Sequence, residues 1–542
     1  MPATQVLLRS IARAGAAGLF AAVILGVAPA VRAESVYKAD PAIAEKSIAE
    51  LQAAMTAGKI TSKALTAKYL ARIKAIDKAG PRINAIIEIN PDALAIADAL
   101  DKERREKGPR GLLHGIPVLL KDNIVTADKM QTTAGSLALV GAKAPRDSFV
   151  AQRLREAGMV ILGKTNLSEW ANLRSTRSTS GWSGRGGLTL NPYALDRNTS
   201  GSSSGSGAAV AAGLATIAVG TETDGSIVSP SSMMSLVGIK PTVGLVSRAG
   251  VVPIAHSQDT PGPMALSVAD AAALLTAMAG SDKRDAATID AVDHATDFTR
   301  ALNPNALKGA RLGVVRASFA GRNDLLAAEV EKSLAVLKAE GAVLIDIPEI
   351  PDLAKIGDPE LEVLIYEMKT DLNAYLAEYA IGAPVKTVAD VIAFNEAHKD
   401  AEMPWFGQEF LIRAQAKGDL SSKEYTEARD TSRGYARAGI DKIMTDNNLD
   451  ALIAPTGSPA WMTDFINGDA EGDSFSTPAA VAGYPHVTVP AGFVHGLPVG
   501  LSFVGGAWSE SKLIGLAFAY EQATHHRRPP TFPKSVNSWQ KK

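Results

Sequence analysis

The chain has 542 residues, 46% of them hydrophobic, enough for a large buried core. Its 56 basic and 57 acidic residues nearly cancel, so composition offers no basic stripe for nucleic acid or for an acidic membrane surface. Cysteine is absent, which excludes a disulfide framework, a thiolate metal site and a cysteine nucleophile.

The N-terminus reads as a secretory signal. Arg9 and Arg13 supply a positive start, residues 14–28 an apolar run, and Val31-Arg32-Ala33 the small residues a signal peptidase reads. Cleavage is expected after Ala33, with Ala30 as the alternative, leaving residues 34–542 as a periplasmic or extracellular protein. The apolar run is short and rich in Ala and Gly for a membrane span, and no later segment approaches one.

Residues 41–78 carry helical spacing. Ile48, Leu51 and Met55 mark a first helix, Gly58-Lys59-Ile60-Thr61 interrupts, and Thr61 or Ser62 caps a second helix through Leu65, Tyr69 and Ile73. A strand is predicted over 83–89, a charged helix over 91–107, and a short apolar strand over 115–120 that ends at Lys121. A helix over 149–157 and a strand over 160–163 repeat the alternation, which argues for an α/β layered sheet. Residues 172–200, rich in Asn, Arg, Ser, Thr and Gly, read as a long surface or active-site loop. A helix over 208–214 and a strand over 217–219 follow. Strand, helix and strand recur over 312–315, 325–339 and 343–347. Residues 360–445 are mostly helical, with aromatics at Tyr366, Tyr375, Phe394, Trp405 and Phe406. Late strands are predicted at 451–454, 487–489 and 500–503, and a closing helix over 511–524. No short repeat or long linker appears, so one large domain with a helical insertion at about 350–445 is expected.

The densest chemical signal lies in residues 199–226, where two Gly/Ser-rich turns flank a helix-length and a strand-length apolar run. Ser202 sits on the first turn and Ser226 on the second. A serine placed directly after a strand and the sharp turn Gly220-Thr221-Glu222-Thr223-Asp224-Gly225 is presented at the strand end. There the backbone N–H groups of Thr223, Asp224, Gly225 and Ser226 can face a developing oxyanion. Taken alone, the same residues also fit an ordinary turn, and Gly201–Gly205 also fits a flexible linker. Gly201-Ser202-Ser203-Ser204-Gly205 matches a G-x-S-x-G elbow centred on Ser203 as well, but residues 191–198 are not the strand an elbow requires.

Further blocks narrow the reading. They are Gly115-Ile116-Pro117-Val118 leading to Lys121-Asp122-Asn123, Gly163-Lys164-Thr165-Asn166-Leu167-Ser168-Glu169, Gly238-Ile239-Lys240-Pro241-Thr242, Asp259-Thr260-Pro261-Gly262-Pro263 and Gly496-Leu497-Pro498-Val499-Gly500. Together with the two serine turns, the chain resembles the amidase signature family over roughly residues 45–525. The runs at 201–206 and 224–228 are similar to its peptide amidase branch.

The resemblance implies an α/β fold with a large mixed twisted sheet covered by helices on both faces and a signature core at about 115–265. It implies a triad of Ser226 as nucleophile, Ser202 on a cis peptide bond as bridge, and neutral Lys121 as base, with Ser203 in support and an acyl-enzyme intermediate. It implies hydrolysis of a carboxamide, in that branch the C-terminal amide of a peptide, with release of ammonia. No metal or cofactor, no nucleic acid, and a monomer acting on a small-molecule or short-peptide amide are expected.

An acylamidase for aryl, fatty or other small amides is the alternative. The glutaminase subunit of a tRNA-dependent amidotransferase also resembles this family, but a secretory segment argues against it. The chain departs from the common pattern at Ser200, Ser204, Asp224 and Val228, expected at the mouth near Ser226. Asn172, Trp461 and Phe465 are candidate substrate contacts, each also readable as packing. The histidines carry no metal-ligand spacing.

Overall fold

Apolar runs that are β-rich along their whole length belong to strands covered on both faces, and most strands of this chain are of that kind. In the computed structural model, which describes residue 37, residues 39–319 and residues 323–537, thirteen strands are found. They are β1 (Ile86–Ile89), β2 (Pro117–Lys121), β3 (Val160–Thr165), β4 (Trp182–Ser183), β5 (Gly187–Leu188), β6 (Ile217–Glu222), β7 (Val237–Lys240), β8 (Thr260–Ala265), β9 (Arg311–Val315), β10 (Val343–Ile347), β11 (Ala451–Pro455), β12 (His486–Val494) and β13 (Leu497–Val504). β4 and β5 form a small hairpin; the other eleven make one sheet in the order β1-β3-β2-β6-β8-β7-β12-β13-β11-β9-β10. β2 is parallel to β3 and β6, and β9 is parallel to β10 and β11. The remaining pairs are antiparallel. This is the mixed α/β sheet expected. The described residues from 39 to 537 form one compact unit. The secretory segment over 1–33 and its cleavage sites lie outside the described residues.

Between β10 and β11 the chain is helical, with long helices at Gly357–Tyr379 and Lys423–Asp446. Ile365, Met368, Leu372 and Leu376 of the first pack with Val125, Ala138, Leu139 and Trp170, so the insertion is anchored on the segments that follow β2 and β3.

Two expectations are corrected. The helix expected over 208–214 spans Ser204–Ala211. Its glycines serve close approach rather than flexibility: a Cβ on Gly205 would lie 2.4 Å from both the Ala85 and the Asn166 carbonyl oxygens. Gly205→Ala is therefore expected to cost about 1–3 kcal/mol through overpacking, read as a fall in Tm. The strand expected over 217–219 continues to Glu222 because β8 pairs with it as far as Thr260. Residues 172–200, expected as a surface or active-site loop, are mostly buried, and Asn172, Ser180 and Ser200 line the cavity at Ser226. Arg174 is fully buried, its guanidinium donating to Glu169 at 2.6 Å and lying over the rings of Trp182 and Phe406.

Candidate active site

Strand register brings the lysine to the serines. β2 and β6 run parallel with Leu120 opposite Val219, so Lys121 leaves β2 beside Thr221. Its Nζ lies 2.7 Å from Ser202 Oγ, 2.9 Å from Thr221 Oγ1 and 3.2 Å from the Thr221 carbonyl. Asn123 Nδ2 donates to the same Thr221 hydroxyl at 2.9 Å. Lys121 is fully buried, and that burial pulls its pKa down to about 7 against the opposing charges of Asp259 and Glu222. In the neutral amine, two N–H groups satisfy Thr221 and the lone pair is left for the Ser202 hydroxyl.

The peptide bond Gly201–Ser202 is cis. The Ser202 carbonyl accepts from Ser168 N at 3.1 Å. Gly201 packs so tightly that a Cβ there would lie 2.2 Å from Ser168 Oγ. Ser203 stitches the two serine turns together. Its N–H donates to the Ser226 carbonyl at 3.2 Å, and its Oγ donates to the Thr221 carbonyl at 3.0 Å while accepting from Thr221 N at 3.2 Å.

The second turn is closed by Glu222, whose carboxylate accepts from Ile227 N and Val228 N at 2.7 and 2.9 Å. Gly225 takes a φ of 78°, a region that favours glycine. Ser226 lines a cavity of about 470 Å³ together with Thr223, Asp224 and Gly225. The backbone N–H groups of Thr223, Asp224, Gly225 and Ser226 donate to no acceptor among the described residues.

Of the three candidate substrate contacts, the structure brings one to the cavity. Asn172 lines it and donates to Ser180 Oγ at 3.3 Å. Trp461 does not; it packs with Ala194, Met233 and Leu497 and donates Nε1 to Asp469 at 3.1 Å. Phe465 does not either; its ring stacks on Trp405 at 4.4 Å between centroids. Each of these rings finds a partner outside the cavity.

Among the four departures from the family pattern, Ser200 and Asp224 stand on the cavity wall. Ser204 turns inward to donate to the Ser200 carbonyl at 2.7 Å, and Val228 begins a buried helix. Sequence reasoning assigned no role to Thr221, Asn123, Leu364 or Glu471. Asn123 stands in the Lys121-Asp122-Asn123 run, whereas Leu364 and Glu471 come from distant segments and carry no local signal. The charged residues on the cavity wall, Asp224 and Glu471, are both acidic.

His256, Glu367 and Asp371 converge elsewhere, with His256 Nδ1 at 2.9 Å from Asp371 Oδ2. Glu367 already accepts from Ser257 N and from Tyr425, at 2.9 and 2.6 Å, so the group reads as an ion-pair staple. No described helix is long and apolar enough to cross a membrane.

Comparison with known proteins follows the same blocks of sequence. The Amidase family model matches residues 64–514. A protein of Arabidopsis thaliana described as a probable amidase is 43% identical over 94% of this chain and 95% of its own. A glutamyl-tRNA(Gln) amidotransferase subunit of Halorhodospira halophila is 36% identical over 90% of this chain and 99% of its own. The solved structure of the native peptide amidase from Stenotrophomonas maltophilia superposes with a TM-score of 0.85 at 50% identity, covering 90% of this chain and 99% of that one.

Proposed function

The chain belongs to the amidase family, and from that premise we propose that this amide-hydrolysing enzyme removes the C-terminal carboxamide of short peptides through a Ser226 acyl-enzyme. The observation that carries the reading is the buried contact of 2.7 Å between Lys121 Nζ and Ser202 Oγ. It lies one backbone hydrogen bond away from Ser226, through Ser203.

Neutral Lys121 takes the Ser202 hydroxyl proton as Ser202 takes that of Ser226. The Ser226 oxygen attacks the amide carbon, and the carbonyl oxygen gains negative charge toward the N–H groups of Thr223, Asp224, Gly225 and Ser226. The proton then returns through Ser202 to the leaving nitrogen, the C–N bond breaks, and ammonia departs. Water adds to the acyl-enzyme by the same relay in reverse and yields the free acid.

The wall of the cavity supports a carboxamide over a free carboxylate. A site built for a peptide's terminal carboxylate needs a cation, whereas the charged wall residues here are Asp224 and Glu471. Burial raises the pKa of both groups, that of Glu471 to about 7, and neither offers the acid product a cation to hold it. The relation to a peptide amidase at 50% identity supports the peptide as the acyl part.

The test is ammonia release from a C-terminally amidated dipeptide, with the product weighed by mass spectrometry. Conversion of the terminal amide to the acid with the internal peptide bond intact is expected. Rejection of the peptide amide together with turnover of an aryl or fatty acylamide would replace this substrate by the small-amide alternative. Turnover of glutamine would favour a reaction like that of the amidotransferase relatives.

A further inference from the structure

Asp259 opens the Asp259-Thr260-Pro261-Gly262-Pro263 run, takes no part in the proton relay, and does not line the cavity at Ser226. Yet its buried carboxylate is saturated with donors. Oδ1 accepts from Thr223 Oγ1 at 2.5 Å, and Oδ2 accepts from Ile254 N and Ala255 N at 2.8 and 3.0 Å. The residue before it completes the grip. Gln258 Nε2 donates to the Thr223 carbonyl at 3.3 Å and to Glu360 Oε1 at 2.8 Å. Thr223 is thus held at its hydroxyl and at its carbonyl by two consecutive residues. Thr223 is also where the run of N–H groups leading to Ser226 begins.

We propose that Asp259 is a positioning residue of the amidase reaction, acting through Thr223 to hold the Thr223–Ser226 backbone in the conformation that receives the oxyanion. The physical reason is geometric. An oxyanion site works only if its donors are aimed before charge develops. Glu222 clamps the far end of this turn at Ile227 and Val228, but the N–H groups from Thr223 to Ser226 make no hydrogen bond among the described residues, so the near end must be fixed through Thr223. A carboxylate can satisfy this task because it accepts on both oxygens, and its bonds to fixed donors are charge-assisted. An amide does so less well, because it carries no charge and one of its two polar atoms is a donor. In Asp259→Asn the amide oxygen can still accept from Ile254 N and Ala255 N, but the NH2 group must donate to the Thr223 hydroxyl, so the charge-assisted bond that holds Thr223 becomes a neutral one of reversed direction.

Asp259 also reaches the relay through space, since its charge and that of Glu222 oppose the burial that lowers the Lys121 pKa. Burial raises Asp259's own pKa to about 6, against its Thr223, Ile254 and Ala255 donors and the charge of Arg248. Other titratable groups around this region are Asp285 beside Arg248, His256 beside Asp371, and Glu360, Glu367 and Asp371 on the helix Gly357–Tyr379; the Asp371 hydrogen bond holds His256 above its ordinary pKa. Removing the Asp259 charge therefore shifts the Lys121 titration downward.

This inference rests on the amidase reading above, and the experiment separates the two. Asp259→Asn and Thr223→Val, singly and combined, are compared with Ser226→Ala on the amidated dipeptide, or on an aryl acylamide if the wild type rejects the peptide. Asp259→Asn is expected to lower kcat about ten- to a hundredfold with KM within about twofold, the size of a misaimed rather than a deleted group. Its acidic limb in the kcat/KM profile moves to lower pH. Thr223→Val lowers kcat with the limb unmoved, and the double variant is no slower than Asp259→Asn.

Full kcat in Asp259→Asn, an unmoved limb, or losses that multiply in the double variant would overturn the inference while an inactive Ser226→Ala kept the amidase reading standing. An active Ser226→Ala would sink the reading itself. If Asp259→Asn does not fold, Thr223→Val decides: lower kcat at constant KM supports the role, and unchanged kcat removes it.

Discussion

Replacing Ser226 by alanine is expected to lower kcat by about four to six orders of magnitude, the scale seen when a serine nucleophile is removed from a catalytic unit. The fold should be untouched. Ser226 is held through its backbone, by the carbonyl that accepts from Ser203 N. The variant keeps that bond and the Gly225 turn. Circular dichroism and thermal melting of Ser226→Ala should therefore overlay those of the wild type, while ammonia release from the amidated dipeptide falls to background. A variant retaining more than a few per cent of activity would remove Ser226 from the role of nucleophile.

The second large effect is expected at Lys121. Burial places its pKa at about 7, and the relay needs the neutral amine. Lysine is cationic below its pKa, so the competent form is lost as pH falls. The wild-type kcat/KM is expected to rise with a single proton dependence through about pH 7 and to level off above it. Lys121→Met fills nearly the same volume without a basic nitrogen. It should lower kcat about a hundred- to ten-thousandfold, the usual range for a positioned general base, and it should erase that acidic limb. The measurement is kcat/KM against pH for both proteins. A limb that survives in Lys121→Met would assign the titration to another group, such as Asp259, whose pKa lies at about 6.

The same two residues show how much of the site was legible. Lys121, Ser202, Ser203, Ser226 and the turn from Thr223 to Gly225 were all named in advance, because the short runs that carry them resemble those of the amidase signature family. Thr221 could not. Read as part of a polar turn, it is instead a strand residue of β6, and its hydroxyl meets Lys121 only because β2 lies alongside in parallel register. Asn172 reached the cavity, whereas Trp461 and Phe465 did not. Near a strand end, an aromatic side chain has the same sequence signature whether it meets substrate or another ring.

By itself the sequence determined the local pieces: the alternation of strands and helices, the glycine-bearing turns, the family and the serine and lysine candidates. The alternation and the turns follow from backbone preferences and periodicity, which act over a few residues, whereas the family and the serine and lysine candidates follow from the resemblance of short runs to a known family. The tertiary structure decided the rest. Gly205 and Gly207 lie inside a buried helix because Gly205 meets the Ala85 and Asn166 carbonyls across the sheet. Much of residues 172–200 is buried, and Arg174 donates to the Gly407 carbonyl in the helical insertion. The pKa of Lys121 lies at about 7 because the fold removes water from around it. Asp259 holds Thr223 across 36 positions of sequence. Desolvation and long-range contact are properties of the packed chain, and no window of residues contains them.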